Sequence, residues 1–220
     1  MMGKRMIKQV RLNHKGGLYI YRLHNEKVNG LCNNGYSSLA NFLESVFKNC
    51  PNEYFNTGPR SSSLRINLND IDLKQLTGHE ISILTRFALD INKERFRSNH
   101  ERVQVFMLEN DNKTIAMEIP VWLSLNEFPS LKSLLKSDKP LTGHIDLLRI
   151  EDGKLWVWDY KPNANEEEYA ATQIFFYALM LNKRTGIPLN MIRCGYFDDR
   201  HVFLFKPDLK MLNVKTILDY

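Results

Sequence analysis

The chain has 220 residues, 43% hydrophobic and 25% charged, with a formal net charge of +5 and a pI of about 9.0. This suits one well-cored domain with an appendage and excludes a low-hydrophobicity disordered chain. No stretch reaches the ~18 apolar residues of a membrane span, and no apolar signal core opens the chain, so a cytoplasmic protein without a membrane partner is expected.

Cys32, Cys50 and Cys194 are odd in number and far apart, without zinc or redox spacing, and read as reduced thiols. The basic excess fits a polyanion partner without proving one. Early in the chain, Leu18 to Leu23 reads as a strand. Ser37 to Lys48 reads as a short amphipathic helix with Leu39, Phe42, Leu43 and Val46 on one face. Residues 49–63 are loop-like. Thr77-Gly78-His79-Glu80 has the form of a capping box, and the apolar repeat behind it predicts a helix to about Phe96. Arg102 to Leu108 and Thr114 to Leu123 read as strands around Asn110-Asp111-Asn112, and Leu131 to Leu135 as a short helix.

The segment 143–161 is more informative. Asp152-Gly153 between two β-rich runs predicts a two-residue hairpin, because a type I′ turn needs positive φ at both central positions. Counting back from Glu151 opposite Lys154 brings Asp146 against Asp159 and His144 against Lys161. Asp159 and Lys161, two apart, point the same way. Like charges directly opposed on a sheet destabilise it, and the rest of that face (Leu148, Ile150, Leu155, Val157) wants a core. Such a pair of carboxylates calls for a cation. The bland alternative is an ordinary Asp/Asp/Lys surface cluster. Asn165 to about Arg184 then reads as a helix with Glu166, Glu167 and Glu168 at its positive end, ended by Gly186 and Pro188. Tyr169, Gln173 and Tyr177, four apart, share one face of it. Met191 to Tyr196 and Val202 to Phe205 read as closing strands.

Gly143-His144-Ile145-Asp146, the turn, Asp159-Tyr160-Lys161, and Gln173 with Tyr177 on the next helix together resemble the PD-(D/E)XK nucleases of the RecB type. Gly78-His79-Glu80 looks like that branch's helical histidine motif, and Glu118 like its upstream acidic residue. The resemblance implies an α/β (α+β) restriction-endonuclease-like core, with a central mixed sheet flanked by helices over 76–220. A mainly helical region, 1–75, precedes it. It implies Asp146, Asp159, Glu118, His79 and the Tyr160 carbonyl as ligands of one or two Mg²⁺ or Mn²⁺ ions. Lys161 would polarise the attacking water, with Gln173 and Tyr177 bordering the site. For His79 the alternative is a local hydrogen bond at a helix start, for Glu118 an exposed strand residue, and for Tyr177 a core tyrosine. Trp156, Trp158 and Tyr160 fall on the other hairpin face and suit packing under a helix.

Late in the chain only Cys194 stands where iron–sulfur members of the branch cluster three cysteines, so no such cluster is expected. No Gly-x-x-x-x-Gly-Lys-Ser/Thr loop is present, and any motor must come from a separate helicase or a replication or repair protein. The implied activity is hydrolysis of DNA, by an exonuclease or an enzyme trimming single strands and flaps. A sequence- or structure-specific endonuclease, an inactive nucleic-acid-binding subunit and an RNA-processing enzyme stay open as alternatives.

Overall fold

The computed structural model describes residues 6–135 and 137–212. In chain order its elements are β1 (Ile7–His14), β2 (Gly17–His24), α1 (Asn25–Leu31), α2 (Ser37–Asn49), α3 (Asn52–Thr57), β3 (Lys74–Thr77), α4 (Glu80–Ile91) and α5 (Asn99–Asn110). There follow β4 (Thr114–Leu123), α6 (Leu131–Leu135), β5 (Leu141–Glu151), β6 (Lys154–Tyr160), α7 (Ala170–Thr185), β7 (Ile192–Phe197) and β8 (His201–Phe205). The strands form one mixed sheet in the order β1-β2-β4-β5-β6-β7-β8-β3. Only β6 and β7 run parallel, joined by the crossover through α7, as a parallel pair requires.

Helices cover both faces. Ile174, Phe175 and Leu179 of α7 and Leu39 and Leu43 of α2 share one core with Leu148, Val157 and Cys194. Ile81 and Ala88 of α4 and Val103 and Met107 of α5 share another with Met117, Leu147 and Trp158. Side-chain alternation along the strands feeds both layers. The Trp156, Trp158 and Tyr160 face packs beneath α4 and α5, and Trp158 is fully buried. Gly195 is required there, since a Cβ would meet the Trp158 ring.

Several expectations need correction: α7 opens at Ala170 rather than Asn165, so Glu166, Glu167 and Glu168 precede it, and residues 49–63 carry α3. Residues 102–108 are helical, not a strand: the Ser98 side chain accepts from the Glu101 N–H at 3.2 Å and starts α5. Ser98-x-x-Glu101 was the capping signal, hidden by β-branched residues of a helix buried along much of its length. The residues before 75 carry the β1–β2 hairpin as well as α1, α2 and α3, and β2 pairs with β4, so the sheet crosses that boundary. The cap of α4 is His79 rather than Thr77, and the helix ends at Ile91.

Candidate active site

The hairpin turn forms as its sequence dictates, with φ +49° at Asp152 and +65° at Gly153, and Glu151 pairs with Lys154. The β5–β6 ladder runs back only to Leu147 opposite Trp158. Beyond it β6 stays with β7, where Asp159 pairs with Tyr196. Asp146 and Asp159 therefore face each other where two strands part, and His144 has no ladder partner in Lys161; it pairs with Pro120 instead. Asp146 fills the gap: its Oδ2 accepts the Tyr160 N–H at 2.9 Å.

A third carboxylate joins from β4. Met117 pairs with Leu147 and Ile119 with Ile145, which sets Glu118 across from Asp146. Glu118 has φ +54°, a left-handed conformation that costs a non-glycine residue about 1 kcal/mol or more. The kink reverses the strand: Met117 packs in the α4/α5 layer and Ile119 in the α7 layer, though residues two apart normally share a face. Glu118, Asp146 and Asp159 thus stand in succession on three neighbouring strands at a break in the sheet.

Helices on both sides hold these groups. From α5, Gln104 Nε2 donates to Glu118 Oε1 at 2.8 Å. From α7, Gln173 Oε1 accepts from Lys161 Nζ at 3.0 Å, while its Nε2 donates to Asp159 Oδ1 at 3.3 Å and Tyr177 Oη at 2.7 Å. Lys161 Nζ lies 2.7 Å from Asp159 Oδ2, yet at an angle that leaves this buried oxygen without a hydrogen bond. Gly143 admits Tyr177: a Cβ would strike the tyrosine ring and lie 2.7 Å from Ser61 Oγ.

The surroundings shift the titrations. Burial first, then Asp159 and Glu118, push the Asp146 carboxyl well above the usual range. Burial and then Asp159 push Glu118 up to about 7, against the Gln104 hydrogen bond. Burial alone would lower Lys161, but Asp159 and Asp146 outweigh it and hold the ammonium above its ordinary value. Glu118 and Asp146, crowded in a partly dry cleft with Asp159, therefore hold protons more tightly than free carboxyls, although Lys161 and Arg60 also line it.

Of the expected site residues, Glu118, Asp146, Asp159, Lys161, Gln173 and Tyr177 line one cleft of about 270 Å³. His79 does not. Its Nδ1 accepts the Ile81 N–H at 3.2 Å, and its ring lies 5.8 Å from Trp158, whose side chain points to the sheet face opposite Asp159. His79 is a helix cap. The cleft's histidines are instead His100, near the start of α5, and His144. The His100 ring stands 5.1 Å from that of Tyr160 and engages the Tyr160 main chain; burial lowers its pKa while Asp159 works the other way. His144 Nε2 lies 2.9 Å from His14 Nδ1, and His14 Nε2 lies 2.8 Å from Asn52 Oδ1. Arg60, also missed in the sequence, borders the cleft beside Tyr19 and donates to its hydroxyl.

Hard carboxylate oxygens, an imidazole and the nearby Tyr160 main chain make a donor set that suits a divalent cation. Asp159 Oδ2 already faces the Lys161 ammonium at 2.7 Å, so a bound ion would share that oxygen with the lysine. Among the described residues, no three His, Cys, Asp or Glu side chains already converge on one ion-sized point. Asp146 is turned to the Tyr160 N–H and Asp159 to Lys161.

A sequence model of the PD-(D/E)XK nuclease superfamily matches residues 44–212, and the chain belongs to that superfamily. Membership implies nuclease activity, and nucleases of this superfamily typically use divalent metals. No curated protein matches it in a sequence comparison. No helix among the described residues is long and apolar enough to cross a membrane.

Proposed function

We propose that the protein is a divalent-metal-dependent deoxyribonuclease of the RecB type, working from DNA ends as an exonuclease or trimming single strands and flaps. The observation that carries this reading is the row Glu118, Asp146, Asp159 on β4, β5 and β6, with Lys161 Nζ 2.7 Å from the last. A protein that only bound nucleic acid would gain nothing from three carboxylates beside a phosphate backbone.

Asp146, Asp159, Glu118, the His100 imidazole and the Tyr160 carbonyl would hold Mg²⁺ or Mn²⁺. When bound, the ion neutralises charge building on the phosphate and acidifies a water. Lys161 is placed by Gln173 and Asp159 to hydrogen-bond that water or a phosphate oxygen, and its raised pKa keeps it a donor. Gln173, anchored by Tyr177, keeps the ammonium and the Asp159 carboxylate in register.

The test is cleavage of end-labelled linear, circular, single-stranded and flapped DNA with Mg²⁺ or Mn²⁺. Release of the label as mononucleotides or short fragments from ends is expected. Nicked or linearised circles would replace this with an endonuclease reading, and no cleavage under any of these conditions would overturn the proposal.

A further inference from the structure

Beside the catalytic cleft lies a second one, of about 290 Å³, walled by the β1–β2 hairpin and the start of α5. The two share Tyr19, His100 and Glu118 as lining, so they adjoin across these residues. We infer that this hairpin cleft is a subsite for one unpaired nucleobase of the strand being cut, next to the reacting phosphate. The inference rests on the nuclease reading and adds the form of DNA that the site accepts.

The lining supports a base rather than a phosphate. Leu18, Ile20 and Met117 offer apolar surface, and Arg22, Ser98 and Gln104 put polar groups around it. Arg22 engages Gln9 through Nε, Met117 Sδ through Nη1 and Glu101 through Nη2, and its five N–H donors exceed these three contacts. The ion pair with Glu101 also offsets its charge. A base combines an apolar face with a hydrogen-bonding edge, and that pairing is what such a lining recognises. The volume falls at the lower end of small-ligand sites and leaves no room for a paired base with its partner.

The spacing of the two clefts is fixed. Tyr19 is a wall, held by a ring stacked on one face and by a guanidinium that reaches its ring and hydroxyl. The His144 ring lies on it with centroids 3.7 Å apart and planes within 2°, and the Arg60 guanidinium is 5.2 Å from its centroid. Arg60 also donates to the Lys15 carbonyl at 3.2 Å, drawing the hairpin tip down. Gly16, at φ +105°, permits this approach, since a Cβ there would collide with the Arg60 guanidinium. A strand crossing from one cleft to the other passes Arg60 and Tyr19, where a phosphate meets a held cation.

Leu18 is 59% exposed, lines only the hairpin cleft and touches none of the catalytic groups, so it is the position to block. Leu18→Trp and Leu18→Glu are compared with the unaltered protein by fluorescence anisotropy, using DNA with single-stranded tails and blunt duplex in Ca²⁺. Hydrolysis of bis(p-nitrophenyl) phosphate in Mn²⁺ is measured alongside, with melting curves to verify folding. Both variants should weaken binding of tailed DNA about tenfold, the scale of one lost base contact. Blunt-duplex binding and hydrolysis of the small diester should stay within about twofold of the unaltered protein. Unchanged binding of tailed DNA, or equal losses on tailed and blunt DNA, would overturn the subsite. Failure of the unaltered protein to hydrolyse any phosphodiester would instead sink the nuclease reading, and the anisotropy comparison would still judge the cleft.

Discussion

Glu118 stands across the β4–β5 ladder from Asp146 in a left-handed conformation; burial raises the proton affinity of both carboxyls, Asp159 adds to each, and Glu118 adds to Asp146. The folded protein therefore keeps protons that the unfolded chain releases. Between the ordinary glutamate value of 4.5 and about 7, this pair costs the metal-free fold stability as pH rises. Glu118→Gln removes one member. The difference in denaturation midpoint between the variant and the unaltered protein should grow in the variant's favour from pH 4.5 to 7. Mn²⁺ should narrow it by stabilising the unaltered protein more. A pH-independent difference would show that the Glu118 carboxyl is not shifted by folding.

Lys161 connects Asp159 to Gln173. Lys161→Ala should lower the single-turnover cleavage rate by about 10²-fold or more, the scale of a lost acid–base or charge-stabilising group. DNA binding measured in Ca²⁺ should change little. Lys161→Arg should rescue only weakly, because a planar guanidinium does not replace a compact ammonium. Cleavage near the unaltered rate by the alanine variant would remove the lysine from the reaction.

The two candidate histidines separate by experiment. His100→Ala should raise the Mn²⁺ concentration needed for half-maximal cleavage by about tenfold or more, in line with the loss of a metal contact. His79→Ala should leave that titration unchanged and lower stability by about 1 kcal/mol, as losing a helix cap does. The opposite pattern would return the metal role to His79.

Away from the cleft, the fully buried Arg149 faces Asp111, with Nε 2.9 Å from Oδ2, and reaches Glu80 at 3.2 Å. Arg149→Ala leaves Asp111, 4% exposed, without its main countercharge. Urea unfolding should show a loss of about 3–5 kcal/mol. The double change Arg149→Met with Asp111→Asn should cost less, since no buried charge is stranded.

The order of the candidate residues was legible, and the hairpin register as far as Leu147 opposite Trp158, because local chemistry determines them. Asp152-Gly153 admits one tight turn, and two-residue periodicity carries Asp146, Asp159 and Lys161 to one face. Gln173 and Tyr177 follow from four-residue helical spacing. What stayed hidden depends on long-range packing. The strand β1 is the exception, since Val10, Leu12 and His14 alternate with exposed Gln9, Arg11 and Asn13, a pattern the sequence itself carries. The run Val103 to Leu108 reads as a strand because α5 is buried along most of it and loses its amphipathic stripe. His100 precedes that run and stands in no local motif, whereas His79 stands in a capping-box pattern. Arg60 and the His14–His144 contact join residues tens of positions apart, which no local pattern reveals.

Gly143 is the position at which packing and chemistry meet. Its backbone lies against the Tyr177 ring and near Ser61 Oγ, and any Cβ would strike both. Tyr177 Oη in turn accepts from Gln173 Nε2 at 2.7 Å, and Gln173 holds Lys161 and Asp159. Gly143→Ala should therefore displace Tyr177 and loosen the lysine two contacts away. The expected result is a fall in kcat of about 10-fold or more with KM little changed, since slight misplacement of a catalytic group is costly. Destabilisation should be about 1–3 kcal/mol, as for other overpacked interiors. Gly143→Ala combined with Tyr177→Phe should show no further loss of rate beyond the more damaging single change, because both act through Gln173. Independent, additive losses would break this chain of contacts.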